Sequence, residues 1–468
     1  MTRYISTRGG GGPQSFTDVL LSGMAPDGGL YVPDKWPVID RALFDHIEGL
    51  RYADVAMQVI RPFVGGAIGD SALEKIITDT YGDAAFDHRA IAPLTQVGPN
   101  AWLLELFHGP TLSFKDYALQ LLGRLFDHVL SENKKRVTIV GATSGDTGSA
   151  AIEACRGRKN IDIFILHPQG KTSDVQRKQM TTIDAPNVHN IAVSGTFDDC
   201  QALVKAMFAD KKMRDELNLS AVNSINWARI MAQIVYYVSA ALALGAPERP
   251  VSFTVPTGNF GNVFAAWSAK RIGLPIHKLV IGSNRNDILT RFFESGEMKC
   301  TGVAPSLSPS MDIQVSSNFE RYLFELMGRD STALKKLMES FSRNGSFSLN
   351  DELMKTARRD FQAYRCNDEQ TLEVMRTCYL ETGMLIDPHT AVGLHAATAA
   401  MEEDPATPMV VVSTAHPAKF PEAVEKATGI KPAVPKRLAA VLKKAEHFTP
   451  LANDISKIQD FIRSKAGQ

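Results

Sequence analysis

Two rhythms of apolar residues organise this chain. The first is short and continuous. Val137-Thr-Ile-Val-Gly141, Ile161-Asp-Ile-Phe-Ile-Leu166, Val251-Ser-Phe-Thr-Val255, Lys278-Leu-Val-Ile-Gly282 and Met409-Val-Val-Val-Ser413 are runs with the length and composition of buried strands. The second rhythm repeats every three to four residues. Ala118, Leu121, Leu122, Leu125 and Val129 share one apolar face, so an amphipathic helix is expected to start near Lys115. Further helices are expected from about Asp146, over 262–271, and over Tyr52–Val64. Strands alternating with helices imply parallel, doubly wound sheets, and the fold class is α/β.

Residues 1–95 read differently. They are rich in Gly, Pro and Asp and carry short helical patterns, so a separate, mainly helical N-terminal domain is expected there. The rest is expected to divide into two α/β domains, 96–248 and 249–468. The second would hold a mostly helical insertion over about 286–405. A length of 468 residues suits two or three domains.

Composition removes several function classes. Lys plus Arg and Asp plus Glu both number 51, so neither a nucleic-acid groove nor a membrane-surface patch is implied. No apolar run approaches the roughly 18 residues of a membrane span. The polar, glycine-rich start does not read as a signal peptide. Cysteines 155, 200, 300, 366 and 378 are scattered. That spacing argues against a disulfide framework and a zinc site, and for a reducing cytoplasm.

The chemistry gathers at one lysine and three loops. His108-Gly-Pro-Thr-Leu-Ser-Phe-Lys-Asp-Tyr117 places Lys115 between an aromatic ring and a helix start. Phe114 and the positive end of the helix dipole would both disfavour an ammonium there. An amine in that setting suits Schiff-base chemistry, although a lysine at the surface of a first helical turn has the same neighbours. Gly141-Ala-Thr-Ser-Gly-Asp-Thr-Gly148 joins a strand to a helix with small residues. Its backbone N–H groups and the hydroxyls of Thr143, Ser144 and Thr147 suit a carboxylate. It also suits an ordinary turn capped by Asp146. Pro256-Thr-Gly-Asn-Phe-Gly-Asn262 opens another helix and lacks the lysine of a nucleotide loop, which favours a single phosphate monoester. A lysine for an aldehyde, one loop for a phosphate and one for an amino-acid carboxylate together point to pyridoxal 5'-phosphate. In the third loop, Ser413-Thr-Ala-His-Pro-Ala-Lys-Phe420, Thr414 has a hydroxyl for the pyridine nitrogen, or for a helix cap.

The motifs taken together resemble the threonine synthases of the long bacterial and fungal type, within the fold-type-II pyridoxal-phosphate enzymes. The resemblance rests on Tyr4-Ile-Ser-Thr-Arg-Gly9, Ala25-Pro-Asp-Gly-Gly-Leu30, His108-Gly-Pro-Thr111 and Phe114-Lys-Asp116. It continues through Thr143-Ser-Gly-Asp-Thr-Gly148, Asn223-Ser-Ile-Asn226 with Arg229, and Pro256-Thr-Gly-Asn-Phe-Gly261. Ser317-Asn-Phe-Glu-Arg321, Pro388-His-Thr-Ala391 and Ser413-Thr-Ala-His-Pro417 complete it. It implies two doubly wound domains plus the N-terminal domain. It also implies conversion of O-phospho-L-homoserine and water to L-threonine and phosphate, the last step of threonine synthesis.

Carried onto this chain, the resemblance makes Lys115 the Schiff-base lysine and proton carrier. Gly258, Asn259, Phe260, Gly261 and Asn262 match the cofactor-phosphate loop, and Thr414 the pyridine contact. Thr143, Ser144, Asp146 and Thr147 match the loop that meets the substrate. Related enzymes often carry asparagine where this chain has Asp146. The substrate phosphate needs its own cradle. Arg229, Asn226, Lys171 and Ser173 are candidates, with Arg229 and Lys171 each also readable as a surface charge, Lys171 more readily so. The expected partner is the small-molecule substrate, and a monomer is favoured over a homodimer. A threonine dehydratase or β-replacement synthase would share the lysine and both glycine loops. It would not need the Ser-Thr-Arg-Gly start or a second phosphate cradle. A non-catalytic cofactor-binding protein is the remaining rival.

Overall fold

A computed structural model describes residues 2–143, 145–221 and 224–467. The chain gathers into two compact units. Unit 1 comprises Met1–Val19, Met24–His108 and Ser224–Ala433, and unit 2 comprises Leu20–Gly23, Gly109–Asn223 and Val434–Gln468. This division does not follow the lines expected at 96 and 249. Ala101–Glu105 belongs to unit 1 because it pairs in parallel with Met409–Ser413. Trp227–Ala243 belongs there because it packs on Gly261–Arg271 and Tyr52–Val64. The C-terminal strand Thr449–Ala452 belongs to unit 2, where it pairs with Val188–Ser194.

Among the described residues, unit 1 is built on a six-stranded sheet. Its order is Phe361–Arg365, Ile276–Ser283, Val251–Pro256, Met409–Ser413, Ala101–Glu105 and Leu94–Gly98. Every neighbouring pair is parallel except the last, an antiparallel hairpin. The central strands Val251–Pro256 and Met409–Ser413 are buried throughout because helices such as Pro388–Glu403 cover them. The strand Phe361–Arg365 falls inside the stretch expected to be mostly helical. Its polar residues are tolerated because it lies at the sheet edge, half-buried.

Residues 2–95 form helices and a two-stranded ribbon, Tyr4–Ser6 against Tyr31–Pro33. Tyr52, Tyr81 and Phe86 pack on one another, whereas other rings of this segment reach beyond it. Tyr4, Trp36 and Phe63 surround Trp227 at ring-centroid distances of 5.8, 5.8 and 5.7 Å. Trp227 opens the helix Trp227–Ala243, so the N-terminal segment and that helix share one apolar core.

Unit 2 carries a five-stranded parallel sheet among its described residues. The order is Thr449–Ala452, Val188–Ser194, Ile161–Pro168, Val137–Ala142 and Leu219–Ser220. Val140, Phe164, Leu166, Ile191 and Ile458 lie in its core. The helix Lys115–Glu132 packs on Asp146–Cys155. In both units the chemistry-bearing loops follow the C-terminal ends of parallel strands, where open α/β sheets bind ligands. Among the described residues, no helix is long and apolar enough to cross a membrane.

Candidate active site

Unit 2 holds the lysine. Lys115 is the first residue of its helix and is buried. Its Nζ lies 4.8 Å from the Phe114 ring centroid and 3.6 Å from Asp146 Oδ2. The ring was expected from the sequence; the carboxylate was not. A carboxylate at that distance opposes the desolvation of an amine. The turn that presents Lys115 is tied by its neighbour Asp116. Asp116 accepts the Thr111 N–H at 2.8 Å and the Thr111 hydroxyl at 2.7 Å. Between them Leu112 takes φ 61°, an uncommon conformation for a branched side chain. Gln179 donates to Thr111 O at 3.1 Å and anchors the same turn to the helix Asp174–Thr181.

The loop at 143–148 is built around Thr143. Its hydroxyl oxygen accepts the N–H groups of Gly145 and Gly148, each at 3.0 Å. Thr143 therefore shapes the loop. A Cβ on Gly148 would lie 2.4 Å from Thr143 Cγ2, which is why the loop closes only on glycine there. Asp146 is buried and accepts from Gln176 Nε2 at 3.1 Å. Ser173 caps the Gln176 helix and donates to Gln176 Oε1 at 3.1 Å. Ser173, Gln176, Asp146 and Lys115 thus form one connected chain. Thr147 is half-buried and Lys171 is exposed. Ser144 lies outside the described residues.

Unit 1 holds the phosphate-loop candidate. Phe260 caps the helix Gly261–Arg271 with φ 61°. Its ring sits in the core against Phe319, Tyr322 and Phe361, so only its backbone serves the loop. The segment 316–318 clamps the loop from outside. Ser316 Oγ donates to Gly258 O at 2.6 Å, and Asn318 donates to Asn259 O through both its N–H and Nδ2, each at 3.0 Å. A Cβ on Gly258 would lie 2.9 Å from Ser310 O, so the backbone there is packed against a turn. Asn262 Oδ1 accepts both the Tyr236 and the Tyr237 hydroxyls, at 2.5 and 2.7 Å. Those two bonds fix the amide orientation. Asn262 Nδ2 is left buried without a partner.

A second anion-ready group lies in the helix Trp227–Ala243. Arg229 is buried, and its Nε and Nη1 have no hydrogen-bond partner. Burial pushes its pKa down to about 10, so it stays cationic at neutral pH. Gln233 Nε2 donates to Arg229 O, and the Tyr236 hydroxyl reaches both Gln233 Oε1 and Asn262. Arg229 and the loop at Asn262 are therefore joined through one buried polar chain. Asn226 is the N-cap of the same helix, with Oδ1 accepting the Ala228 N–H at 3.0 Å. Thr414 is buried directly after the strand Met409–Ser413.

The residues fit pyridoxal phosphate. A buried, unpartnered amide N–H2 costs about 1–3 kcal/mol unless an acceptor arrives, and a phosphate at the helix N-terminus supplies one. The unpartnered N–H groups of Arg229 suit a second anion in the same way. Among the described residues, no group of three His, Cys, Asp or Glu side chains is placed to hold a metal. Sequence reasoning missed the roles of Asp116, Asn318 and Arg321. Arg321 is fully buried, and burial pushes its pKa down to about 9. It donates to Tyr31 O at 2.9 Å, to Ile225 O at 2.5 Å and to Asn318 Oδ1. It thereby stitches the N-terminal ribbon to the loop clamp. The Ser317-Asn-Phe-Glu-Arg321 motif was its only trace in the sequence.

Comparison with known proteins agrees with this geometry. Three family models match in succession: threonine synthase N terminus over residues 3–81, pyridoxal-phosphate dependent enzyme over 86–335, and threonine synthase C-terminal over 390–462. A threonine synthase of Pseudomonas aeruginosa is 54% identical over 461 residues, covering 98% of each chain. The crystal structure of pyridoxal-phosphate-bound threonine synthase from Brucella melitensis is 48% identical with a TM-score of 0.97, covering 100% of both chains. Yeast threonine synthase is 37% identical with a TM-score of 0.94, covering 99% of this chain and 98% of its own. With a buried lysine, a helix-opening phosphate loop and an end-to-end match of this kind, the chain belongs to the threonine synthase family of pyridoxal-phosphate-dependent enzymes.

Proposed function

We infer that this chain is a threonine synthase that converts O-phospho-L-homoserine and water to L-threonine and phosphate. The observation that carries this reading is the 54% identity spanning 98% of both chains. The buried, unpartnered Arg229 supports it, because an enzyme acting on serine or threonine needs no second phosphate site.

Gly258, Asn259, Gly261 and Asn262, with the Phe260 backbone, are the residues to hold the cofactor phosphate. Thr414 is the hydroxyl for the pyridine nitrogen, and the Lys115 amine binds the aldehyde. When bound, the cofactor supplies an electron sink for the substrate α-carbon. The chain's own groups do the rest. The leaving phosphate is on Cγ, so loss of the Cα proton alone does not expel it. A second proton must leave Cβ. Lys115 Nζ, freed when the substrate amine takes its place, is the base for both. Once phosphate has left, a proton is delivered to Cγ, which becomes the methyl group, the oxygen of water bonds to Cβ as it gives up a proton, and a proton returned to Cα completes L-threonine.

Asp146 orients the lysine amine through its 3.6 Å contact. The 143–148 loop, including Thr143, Ser144 and Thr147, is assigned to the substrate carboxylate. In that assignment Thr143 acts by shaping the loop. Arg229 is assigned as the main ligand of the substrate phosphate, and Asn226, Ser173 and Lys171 are the further candidates. We place the enzyme in the cytoplasm as a monomer; its five free thiols suit a reducing compartment. A coupled assay that follows phosphate and threonine together tests the reading. Equal amounts support it. Phosphate accompanied by 2-oxobutyrate and no threonine overturns it.

A further inference from the structure

The motif Pro388-His-Thr-Ala391 has no part in the chemistry above. Its neighbour Asp387 is fully buried, and buried carboxylates are costly unless every lone pair is used. Asp387 Oδ2 accepts the His389 N–H at 3.0 Å and lies 2.7 Å from His389 Nδ1. Asp387 Oδ1 accepts the Thr390 N–H at 3.1 Å and the Thr390 hydroxyl. The carboxylate also caps the helix Pro388–Glu403, and the helix N-terminus favours its charge. A helix cap needs only the two backbone bonds. The two side-chain bonds lead elsewhere.

The first arm runs through the imidazole. Ser310 N–H donates to His389 Nε2 at 3.3 Å, so Nε2 is the bare nitrogen and Nδ1 carries the proton that Asp387 accepts. Ser310 lies in the turn Pro309–Met311, and its carbonyl is the atom that a Cβ on Gly258 would meet at 2.9 Å. The turn is therefore the floor of the phosphate loop. The second arm runs through Thr390. Its hydroxyl gives its proton to Asp387, so it accepts from Ser413 Oγ, 3.0 Å away. Ser413 ends its strand and fixes the backbone that carries Thr414.

We propose that Asp387 is a positioning residue for the cofactor, holding the phosphate loop through His389 and Ser310 and the pyridine-facing Thr414 through Thr390 and Ser413. This rests on the assignment of Gly258 and Thr414 in the proposed function. One carboxylate then sets the spacing between the two ends of a rigid ring. The two arms make the proposal separable from a purely structural role, because pyridoxal lacks the phosphate that only the first arm serves.

The test measures dissociation constants of the full-length protein for pyridoxal phosphate and for pyridoxal, with melting temperatures alongside. His389→Ala should weaken pyridoxal phosphate on the order of tenfold, the scale of one hydrogen bond to a charged group, and leave pyridoxal unchanged. Thr390→Val should weaken both ligands by the same factor and shift the visible absorption of the bound cofactor. Should His389→Ala not fold, His389→Gln serves, with the same selective loss expected. A His389 variant that folds and leaves the ratio of the two constants at its wild-type value overturns the proposal alone. A wild type that binds pyridoxal as tightly as pyridoxal phosphate overturns the loop assignment and this proposal with it.

Discussion

Arg229 offers a prediction with two opposite signs. It is a buried cation whose Nε and Nη1 have no partner. Each unsatisfied buried donor costs about 1–3 kcal/mol. Exchanging a buried charge for an apolar chain of similar volume is often neutral or stabilising by about 1–4 kcal/mol. Arg229→Met keeps the aliphatic stem and its packing. Its melting temperature should therefore equal or exceed that of the wild type. Substrate binding should move the other way. Removing one partner of a buried charged pair costs about 2–5 kcal/mol, or roughly thirtyfold to several thousandfold in affinity. The loss should fall on phosphohomoserine and spare serine, which has no phosphate. Arg229→Lys should recover only part of it, because an ammonium does not reproduce a bidentate fork. The assay is thermal melting together with spectral titration by both amino acids. A lower melting temperature with equal loss of both ligands would show that Arg229 serves the fold, and would refute the reasoning.

Other outcomes follow from the same geometry. Lys115→Ala should lose turnover yet keep noncovalent pyridoxal phosphate through the loop at Gly258–Asn262, measured by equilibrium dialysis; normal turnover would remove Lys115 from the mechanism. Gly258→Ala sets a Cβ against Ser310 O at 2.9 Å, and the roughly 1–3 kcal/mol of overpacking should raise the cofactor dissociation constant about tenfold; unchanged occupancy would mean the loop is misassigned. Burial, aided by the charge of His108, pushes the His416 pKa from 6.5 down to about 4. The unfolded chain then takes up a proton first, so stability is lost as pH falls from about 6.5 and the loss is complete near 4. His416→Gln should recover roughly 2–3 kcal/mol at pH 4 and nothing at pH 8 in denaturant titrations; recovery at both pH values would point to packing alone.

The legible parts of the fold were those whose burial leaves a continuous pattern. Val251–Pro256 and Met409–Ser413 are central strands buried along their whole length, and their sequences are short and dominated by Val, Phe and Met. Phe361–Arg365 and Thr449–Ala452 are edge strands with half-exposed faces. Their alternation is too short and too polar to separate from loop or helix. The N-terminal segment read as a domain because its helices are local. Its rings pack on Trp227, more than 130 residues away in the chain, and spacing carries no sign of that. The site divides in the same way. Lys115 and the candidate phosphate loop were legible because each proposed chemistry sits in one short stretch. The inward turn of the Thr143 hydroxyl, the Asp146 contact and the arms of Asp387 depend on partners that the fold supplies.

The central claim is that phosphate leaves by cleavage of the Cγ–O bond and that water then adds at Cβ. Turnover of O-phospho-L-homoserine in oxygen-18 water reads this directly by mass spectrometry of both products. We expect one heavy oxygen in the threonine hydroxyl and none in the phosphate. Heavy phosphate with unlabelled homoserine would show simple phosphoester hydrolysis and contradict it.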